Sequence, residues 1–289
     1  MLGYTALINP ISGGGRAARV WAPIAEHLAA QGITVTERLT RSRQHAIDTA
    51  DEAAAAGQAV IAVGGDGLVR DVAAGMYGHG TPLAVVPGGR GNDLARKLAL
   101  PTDPATISAM LAARRTTAID VLEAAGQIAL GNIYVGVDSM ATKAINDNRR
   151  LPGLLVYRLA PVGAILRWHA PTFTLSTKDW SVNERLHQVV AANSGRYGYG
   201  LDIVPTAELD SGQIDVLTVA DLPRYKIAAF LSKARTGAHL GEPGVTVRRT
   251  TELRIDADRP VPVYADGDYL GELPVTIAIR PAALDIVTP

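Results

Sequence analysis

Residues 64–67 read Gly-Gly-Asp-Gly and directly follow the apolar run 59–63, and this break constrains the fold more than any other feature. A second break of the same kind, VPGGRGND, occupies residues 86–93. In both places a buried-strand pattern ends in glycines and leads into a helix-like stretch. Such glycines let a phosphate chain lie against backbone N–H groups, and the next helix N-terminus favours negative charge. Asp66 and Asp93 add carboxylates, which Mg²⁺ prefers as ligands. The pattern is typical of a nucleotide-phosphate site.

Residues 1–118 alternate between strand and helix patterns. Strands are predicted at 3–8, 33–39, 58–63 and 82–87, and alanine-rich helices at 16–30, 43–57, 68–77, 92–99 and 103–114. Strands separated by helices indicate βαβ units and a parallel sheet covered on both faces. Ligands of such sheets gather outside the carboxyl ends of the strands. The turns at 9–15, 64–67 and 87–91 should therefore meet at one edge.

The pattern changes near residue 118 to short β-branched or alternating runs separated by turns. Such runs are found near 119–123, 127–137, 171–177, 186–193, 214–219, 245–248, 251–257, 261–265 and 275–279, with helical insertions around 151–168 and 223–239. This texture is typical of an antiparallel sandwich. We predict two domains, a parallel-sheet α/β nucleotide-binding domain at 1–118 and an antiparallel β-sandwich domain at 119–289.

Composition narrows the class of protein. The net charge of zero does not suggest a broad nucleic-acid patch, so no nucleic-acid partner is expected. The absence of cysteine removes disulfides, thiolate metal sites and cysteine nucleophiles, and fits a cytoplasmic location. The stretch 151–168 is interrupted by Arg158 and Arg167, so we do not expect it to span a membrane. The N-terminus is predicted to form a strand rather than a signal peptide.

Three segments together resemble the diacylglycerol kinase catalytic-domain family, which includes soluble bacterial lipid kinases and the sphingosine and ceramide kinases. They are NPISGGG at 9–15, GGDG at 64–67 and PGGRGND at 87–93. The similarity continues with NIYVGVD at 132–138, with LDSGQID at 209–215 and with Asp-Gly-Asp at 266–268, where the family has Asp-Gly-Glu. It covers essentially the whole chain.

The resemblance implies a lipid kinase that uses ATP and Mg²⁺ in a cleft between an α/β domain and a β-sandwich. Carried over residue by residue, the nucleotide contacts are Asn9, Pro10, Ser12, Gly13, Gly14, Thr40, Gly64, Gly65, Asp66, Gly67, Leu68, Arg70, Gly89, Arg90, Asn92 and Asp93. Asp66 is the expected magnesium ligand. Asn92 and Asp93 can also be read as caps of the following helix, and Thr40 as an ordinary loop residue.

The general base is expected from the turn at 266–268. If the flanking segments are extended, Asp266 and Asp268 point the same way, because side-chain direction repeats every two residues. Such a pair would raise one pKa and favour that partner as proton acceptor. The third position of the family motif is usually credited with the role, so Asp268 leads, and Asp266 stays open.

Three departures from the family pattern bear on activity. Leu68 replaces a threonine and cannot bond a phosphate through its side chain, whereas Arg90 replaces a threonine but could clamp a phosphate with two N–H groups. Ser211 stands where bacterial relatives have a carboxylate that holds a structural magnesium. These departures keep two alternatives open, an NAD kinase-like enzyme and a catalytically inactive relative that binds nucleotide or lipid.

The expected partner is a lipid substrate at a membrane surface. The predicted helix at 151–168 either packs on the sandwich or meets anionic headgroups through its arginines, as a protein at the inner membrane face would require. An exposed strand edge in the sandwich is compatible with a homodimer.

Overall fold

The computed structural model describes residues 3–147, 163, 168–197, 201–221, 223, 230 and 233–289. By its internal contacts the chain divides into two compact units, one of residues 1–121 with 281–289 and the other of residues 122–280. The sequence predicted one crossing, near 118, whereas the chain crosses twice, because its last residues return to the first unit. There Ile286 pairs in parallel with Leu83.

The first unit contains a parallel sheet and five helices. Its strands are β1 (Gly3–Ile8), β2 (Thr34–Leu39), β3 (Ala59–Gly64) and β4 (Leu83–Pro87), and β5 (Thr116–Ala124) begins there. Its helices are α1 (Arg16–Ala30), α2 (Arg43–Ala55), α3 (Asp66–Met76), α4 (Asp93–Lys97) and α5 (Pro104–Ala113). The sheet order is β4-β3-β1-β2 with parallel neighbours. Every residue of β3 and β4 is buried, which explains their unbroken apolar sequences.

The second unit is built mainly of antiparallel strands. Its elements before residue 221 are β6 (Gln127–Ala129), β7 (Asn132–Gly136), α6 (Val137–Asp147), β8 (Thr172–Ser176), β9 (Ser181–Ala192), β10 (Arg196–Tyr197), β11 (Leu201–Asp202) and β12 (Ile214–Ala220). They are followed by a 3₁₀ helix (Ala238–Gly241), β13 (Val245–Thr250), β14 (Glu252–Ala257), β15 (Pro262–Ala265), β16 (Asp268–Glu272) and β17 (Val275–Val287). One sheet has the order β16-β15-β7-β9-β12-β13, and β9 continues into a second, β9-β8-β14-β17.

The strand β7 shows how this sheet is buried on both faces. Ile133 and Val135 belong to one apolar cluster, whereas Tyr134 between them belongs to another. Alternation of this kind is the period of two expected for a strand. The predicted combination of a parallel-sheet α/β domain with a β-sandwich-like domain is confirmed.

The structure adds elements that the sequence analysis did not predict. The helix α6 follows β7 where a strand was expected to run to residue 137, and the ribbon β10–β11 and the strand β16 were not predicted. The predicted helices at 151–168 and 223–239 lie largely outside the described residues. Within the part of the chain that is described, no helix has the length and apolar character needed to cross a bilayer.

Candidate functional site

Three loops follow β1, β3 and β4 and start at the same level of the sheet. The N–H of Asn9 donates to the carbonyl of Val63 at 3.1 Å, and the N–H of Gly88 donates to that of Gly64 at 2.7 Å. Because these bonds join the strand ends, the loops begin side by side. The turns that the sequence predicts at the carboxyl edge therefore meet there.

Glycines let these loops touch through bare backbone. A Cβ atom built on Gly89 would lie 2.5 Å from the Cα atom of Gly65, and one on Gly13 would overlap the carbonyl oxygen of Gly88. Real side chains do not tolerate such distances from backbone atoms. At these positions glycine is therefore required by the packing of one loop on another.

Asp66 ties two of the loops together. Its Oδ2 atom accepts the N–H of Asn92 at 2.8 Å, and its Oδ1 atom accepts the N–H of Asp93 at 2.7 Å. These are among the first N–H groups of α4, which have no partner within the helix. Since an ionised carboxylate has about four lone-pair sites, each oxygen keeps capacity for a further ligand.

Asn92 closes its own loop and does not cap the helix. Its φ of 53° is left-handed, a conformation that asparagine tolerates better than most residues. Its side-chain oxygen accepts the N–H of Gly89 at 2.9 Å, and its amide nitrogen donates to the carbonyl of Gly89 at 3.1 Å. The sequence alternative of a cap from Asn92 is wrong, because Asp66 fills that role from another loop.

Gly67 differs from the glycines that pack loop on loop. It lies in the first turn of α3, is exposed, has no left-handed φ, and would have nothing within 4 Å of an added Cβ atom. Glycine inside a helix is about 1 kcal/mol less favourable than alanine. No described part of the protein requires glycine here, so the space over Gly67 is suited to a group from outside the chain.

Several predicted contact residues have side chains engaged within the protein. Leu68 is buried over Gly64, with its Cδ2 atom 2.8 Å from where a Cβ atom at residue 64 would stand. Arg70 is also buried, and its guanidinium contacts Asp71 at 2.6 Å. Arg90, in contrast, is exposed. Of these three side chains, only Arg90 extends toward solvent.

The remaining predicted contacts lie in the loop after β1 and at the end of β2. The side-chain oxygen of Asn9 accepts the N–H of Ile11 at 3.1 Å, which shapes the loop that also contains Pro10 and Gly14. Ser12 brings its hydroxyl within 3.5 Å of the position of a Cβ atom at Gly65. The hydroxyl of Thr40 donates to the carbonyl of Ile8 at 3.3 Å.

Asp266 and Gly267 form the turn of the hairpin between β15 and β16. Their φ angles are 48° and 89°, as in the two-residue type I′ turn that favours Asp-Gly. The condition under which Asp266 and Asp268 would point the same way is not met, because Asp266 lies in the turn and is not extended. Only Asp268 begins a strand.

The Asp266 carboxylate binds three consecutive backbone N–H groups. Its Oδ2 atom accepts from Leu130 at 2.8 Å, its Oδ1 atom accepts from Asn132 at 2.8 Å, and Gly131 donates to the same carboxylate at 3.1 Å. A Cβ atom at residue 131 would lie 2.5 Å from Oδ1. Asp266 therefore holds the hairpin on the segment that begins β7, which leaves Asp268 as the stronger candidate base.

Aromatic rings support the hairpin beside Asp268. Tyr264 stacks on Tyr134 with ring centroids 6.1 Å apart and meets Tyr269 edge-on at 5.7 Å. Burial raises the pKa of the Tyr134 phenol, and the charges of Asp138 and Asp266 act in the same direction. The hydroxyl stays protonated at neutral pH and bonds to Thr142 of α6. The hairpin is thus packed on both β7 and α6.

Sequence reasoning missed the polar support around this hairpin. The Asn132 side chain donates to the carbonyl of Arg196 at 2.9 Å and accepts the N–H of Gly195 at 3.2 Å. The available signal was an asparagine beside apolar strand residues, since a buried amide requires partners. Among the described residues, no group of three or more His, Asp or Glu side chains is arranged to hold a metal.

Comparisons with known proteins agree with this arrangement. Residues 3–124 match the family described as the diacylglycerol kinase catalytic domain, and residues 131–288 match the YegS C-terminal NAD kinase beta sandwich-like domain. A protein of Mycobacterium tuberculosis named diacylglycerol kinase is 29% identical over 99% of this chain and 94% of its own length. A Pseudomonas aeruginosa protein named "Probable lipid kinase YegS-like" is 28% identical over 89% of this chain and 86% of its own length.

Solved structures show the same fold. A crystal structure of a diacylglycerol kinase from Bacillus anthracis superposes with a TM-score of 0.77 at 18% identity. The match covers 100% of this chain and 97% of that one. At this identity the likeness concerns the fold alone.

Proposed function

The chain belongs to the diacylglycerol kinase catalytic-domain family, and on that premise we propose that it is an ATP- and Mg²⁺-dependent lipid kinase. It transfers the γ-phosphate of ATP to the hydroxyl of diacylglycerol or a related lipid alcohol. Since such acceptors reside in bilayers, the protein works peripherally at a membrane surface. The observation that carries the proposal is the contact among the glycine loops after β1, β3 and β4, with open space over Gly67.

The loops suit a triphosphate for a physical reason. Phosphoryl transfer requires positioning and charge neutralisation more than covalent chemistry. The N-termini of α1 and α3 follow the first two loops, so N–H groups and the helix dipoles favour an anion there. A phosphate against Gly67 would occupy the space that a side chain at that position would fill. Arg90 is exposed in the third loop and supplies a guanidinium for the same phosphates.

Asp66 fits a magnesium ion that is shared with the nucleotide. Magnesium in kinase sites is usually held by one or two carboxylates together with substrate phosphates, so a cage of protein ligands is not needed. Asp66 already has both oxygens fixed by N–H groups, which orients its remaining lone pairs. A magnesium ion held there would neutralise charge on the phosphates.

Asp268 accepts the proton of the acceptor hydroxyl. It lies at the start of β16 and is partly exposed, whereas Asp266 two residues earlier is committed to three N–H donors. A positioned carboxylate of this kind typically contributes about 100- to 10,000-fold to the rate.

The test is incubation with labelled ATP, Mg²⁺ and a panel of lipid alcohols in mixed micelles, with NAD as a parallel acceptor. Asp268→Asn should lower kcat at least about 100-fold without changing the thermal midpoint. The matched control is Glu272→Gln, which changes an exposed carboxylate on the same strand and should retain activity.

The other outcomes separate the alternatives. A phosphorylated dinucleotide product would point to an NAD kinase-like enzyme. Bound ATP without phosphorylation of any acceptor would point to an inactive relative. Full activity in Asp268→Asn would show that Asp268 is not the general base.

A further inference from the structure

Among the buried polar atoms of the second unit that have no hydrogen-bond partner in the described protein, three belong to side chains at one short ribbon. They are the Nε atom of Arg196, the Oδ1 atom of Asp202 and the Nδ1 atom of His239. Polar groups buried in folded proteins are almost always bonded. Unsatisfied atoms of three side chains in one neighbourhood therefore indicate a place where another molecule bonds.

The three side chains border the same short ribbon. Arg196 and Asp202 face each other across β10–β11, with Nη2 and Oδ2 3.8 Å apart. His239 is fully buried, and its Nε2 atom donates to the carbonyl of Ile203, the residue after Asp202, at 2.7 Å. Burial lowers the pKa of His239, while the bond to Ile203 and the nearby charge of Asp202 act in the opposite direction.

Each of the three unpaired atoms has a defined role as a hydrogen-bond donor or acceptor. A carbonyl can only accept, so Nε2 of His239 carries the ring proton and the neutral ring presents Nδ1 as an acceptor. Oδ1 of Asp202 is a second acceptor, and the Nε–H of Arg196 is a donor. A complementary ligand therefore offers at least two donors and one acceptor.

The surroundings of this polar cluster are apolar. The ring of Phe230 meets the His239 ring edge-on at a centroid distance of 5.0 Å. Ile203 and Ala234 are fully buried beside it and belong to the same apolar cluster as Tyr134. A ligand here combines donor groups with hydrocarbon, as an amphiphilic alcohol does.

The cluster is also linked to the hairpin that presents Asp268. The carbonyl of Arg196 accepts from the Asn132 side chain at 2.9 Å, and the N–H of Asn132 donates to Asp266 at 2.8 Å. The ribbon and the hairpin are thus bonded to one residue of β7. Asn132 therefore connects the ribbon, where the ligand would bind, to the hairpin that contains Asp268.

We propose that Arg196, Asp202 and His239 bind the polar part of the acceptor lipid and select alcohols that carry hydrogen-bond donors besides the hydroxyl to be phosphorylated. The inference rests on the proposed function and specifies its substrate class. A diacylglycerol has a single O–H group, which the transfer uses. A monoacylglycerol keeps one further O–H, which can donate to Asp202, and an N-acylated amino diol keeps an O–H and an N–H, which can donate to both Asp202 and His239.

The experiment measures kcat/KM for 1-oleoylglycerol and 1,2-dioleoylglycerol in mixed micelles at saturating ATP. The wild type should prefer the monoacylglycerol, and Asp202→Asn should reduce that preference at least about 10-fold, since a bond to a charged acceptor is lost. Arg196→Lys keeps the charge but removes the Nε–H, and should reduce it as well. The control is Glu208→Gln, an exposed carboxylate of the same unit, which should leave the preference unchanged.

The readout separates selectivity from folding. A purely structural role would lower both rates together and shift the thermal midpoint, with the ratio unchanged, and that result would overturn the inference. Equal or better use of dioleoylglycerol by the wild type would also overturn it while leaving the lipid kinase intact. Failure to phosphorylate any lipid despite bound ATP would instead remove the proposed function on which the inference depends.

Discussion

Each unit contains an Asp-Gly pair that looks alike in the sequence, Asp66-Gly67 in the first and Asp266-Gly267 in the second. Both aspartates hold a loop through backbone N–H groups, two for Asp66 and three for Asp266. The glycines differ. Gly267 has a φ of 89° that its turn requires, whereas Gly67 has ordinary helical geometry and open space above it. The turn explains Gly267, whereas Gly67 is a candidate for phosphate contact because it combines open space with a place at the N-terminus of α3, directly after the strand β3.

The largest effect is expected from removing Asp266, which tests whether its carboxylate anchors the hairpin. Asp266→Ala should lower the free energy of unfolding by about 3 kcal/mol, because the N–H groups of Leu130 and Asn132 lose their acceptor while buried. Urea unfolding at pH 7 measures the change. Asp266→Asn keeps one carbonyl oxygen and should recover part of the loss. Unchanged stability in Asp266→Ala would mean that the carboxylate does not anchor the hairpin.

Asp66→Ala should have a smaller effect on stability, about 2 kcal/mol. It loses two bonds, and the donors at Asn92 and Asp93 are partly exposed, so water replaces the carboxylate in part. The affinity for ATP with Mg²⁺ should also fall, measured by calorimetry, while Asp266→Asn should leave that affinity unchanged. A variant that keeps both stability and affinity would contradict the two roles given to Asp66.

Whether the sequence predicted a role depended on how far apart in the sequence the interacting residues lie. The strand β3 was predicted at 58–63 and observed at Ala59–Gly64, because a continuous buried run followed by glycines is a local signal. The role of Asp266 was not predictable, since its donors lie more than a hundred residues earlier in the sequence. Helix α6 was missed although Ala141, Ala144 and Ile145 have helical spacing, because the strand pattern before it was extended to residue 137.

The same limit applies to the candidate site. The glycine loops were recognised because each lies directly after a strand. The burial of Leu68 and Arg70 was not predicted, because the residues that contact these side chains are known only from the folded structure. The cluster of Arg196, Asp202 and His239 has no local pattern at all, since its members come from separate elements.

Substitutions of Gly67 and Gly267 test the different roles of the two glycines, with smaller expected changes in stability. Gly67→Ala should raise the free energy of unfolding by about 0.5–1 kcal/mol, because alanine favours a helix, and should weaken ATP binding at least about 10-fold if a phosphate lies there. Gly267→Ala should lower the free energy of unfolding by about 1 kcal/mol, since its left-handed φ disfavours a Cβ atom, and should leave ATP affinity unchanged. Gly241→Ala, with open space and ordinary φ in the second unit, is the matched control for Gly67→Ala. Equal ATP affinity in Gly67→Ala and wild type would place the phosphates elsewhere.

Acid weakens the second unit through His239, and the expected effect is the smallest of the series. Burial holds the pKa of His239 below its ordinary value of 6.5, so between these two pKa values the unfolded chain binds more protons than the folded one. The contribution of His239 to stability is therefore present in full above pH 6.5 and is lost as the pH falls toward the lowered pKa. Unfolding free energies measured from pH 7.5 to pH 5 should decline less steeply in His239→Phe than in the wild type. A slope that is unchanged by this substitution would mean that the imidazole is not held neutral, and its Nδ1 atom would then be a donor and not the acceptor that the lipid cluster requires.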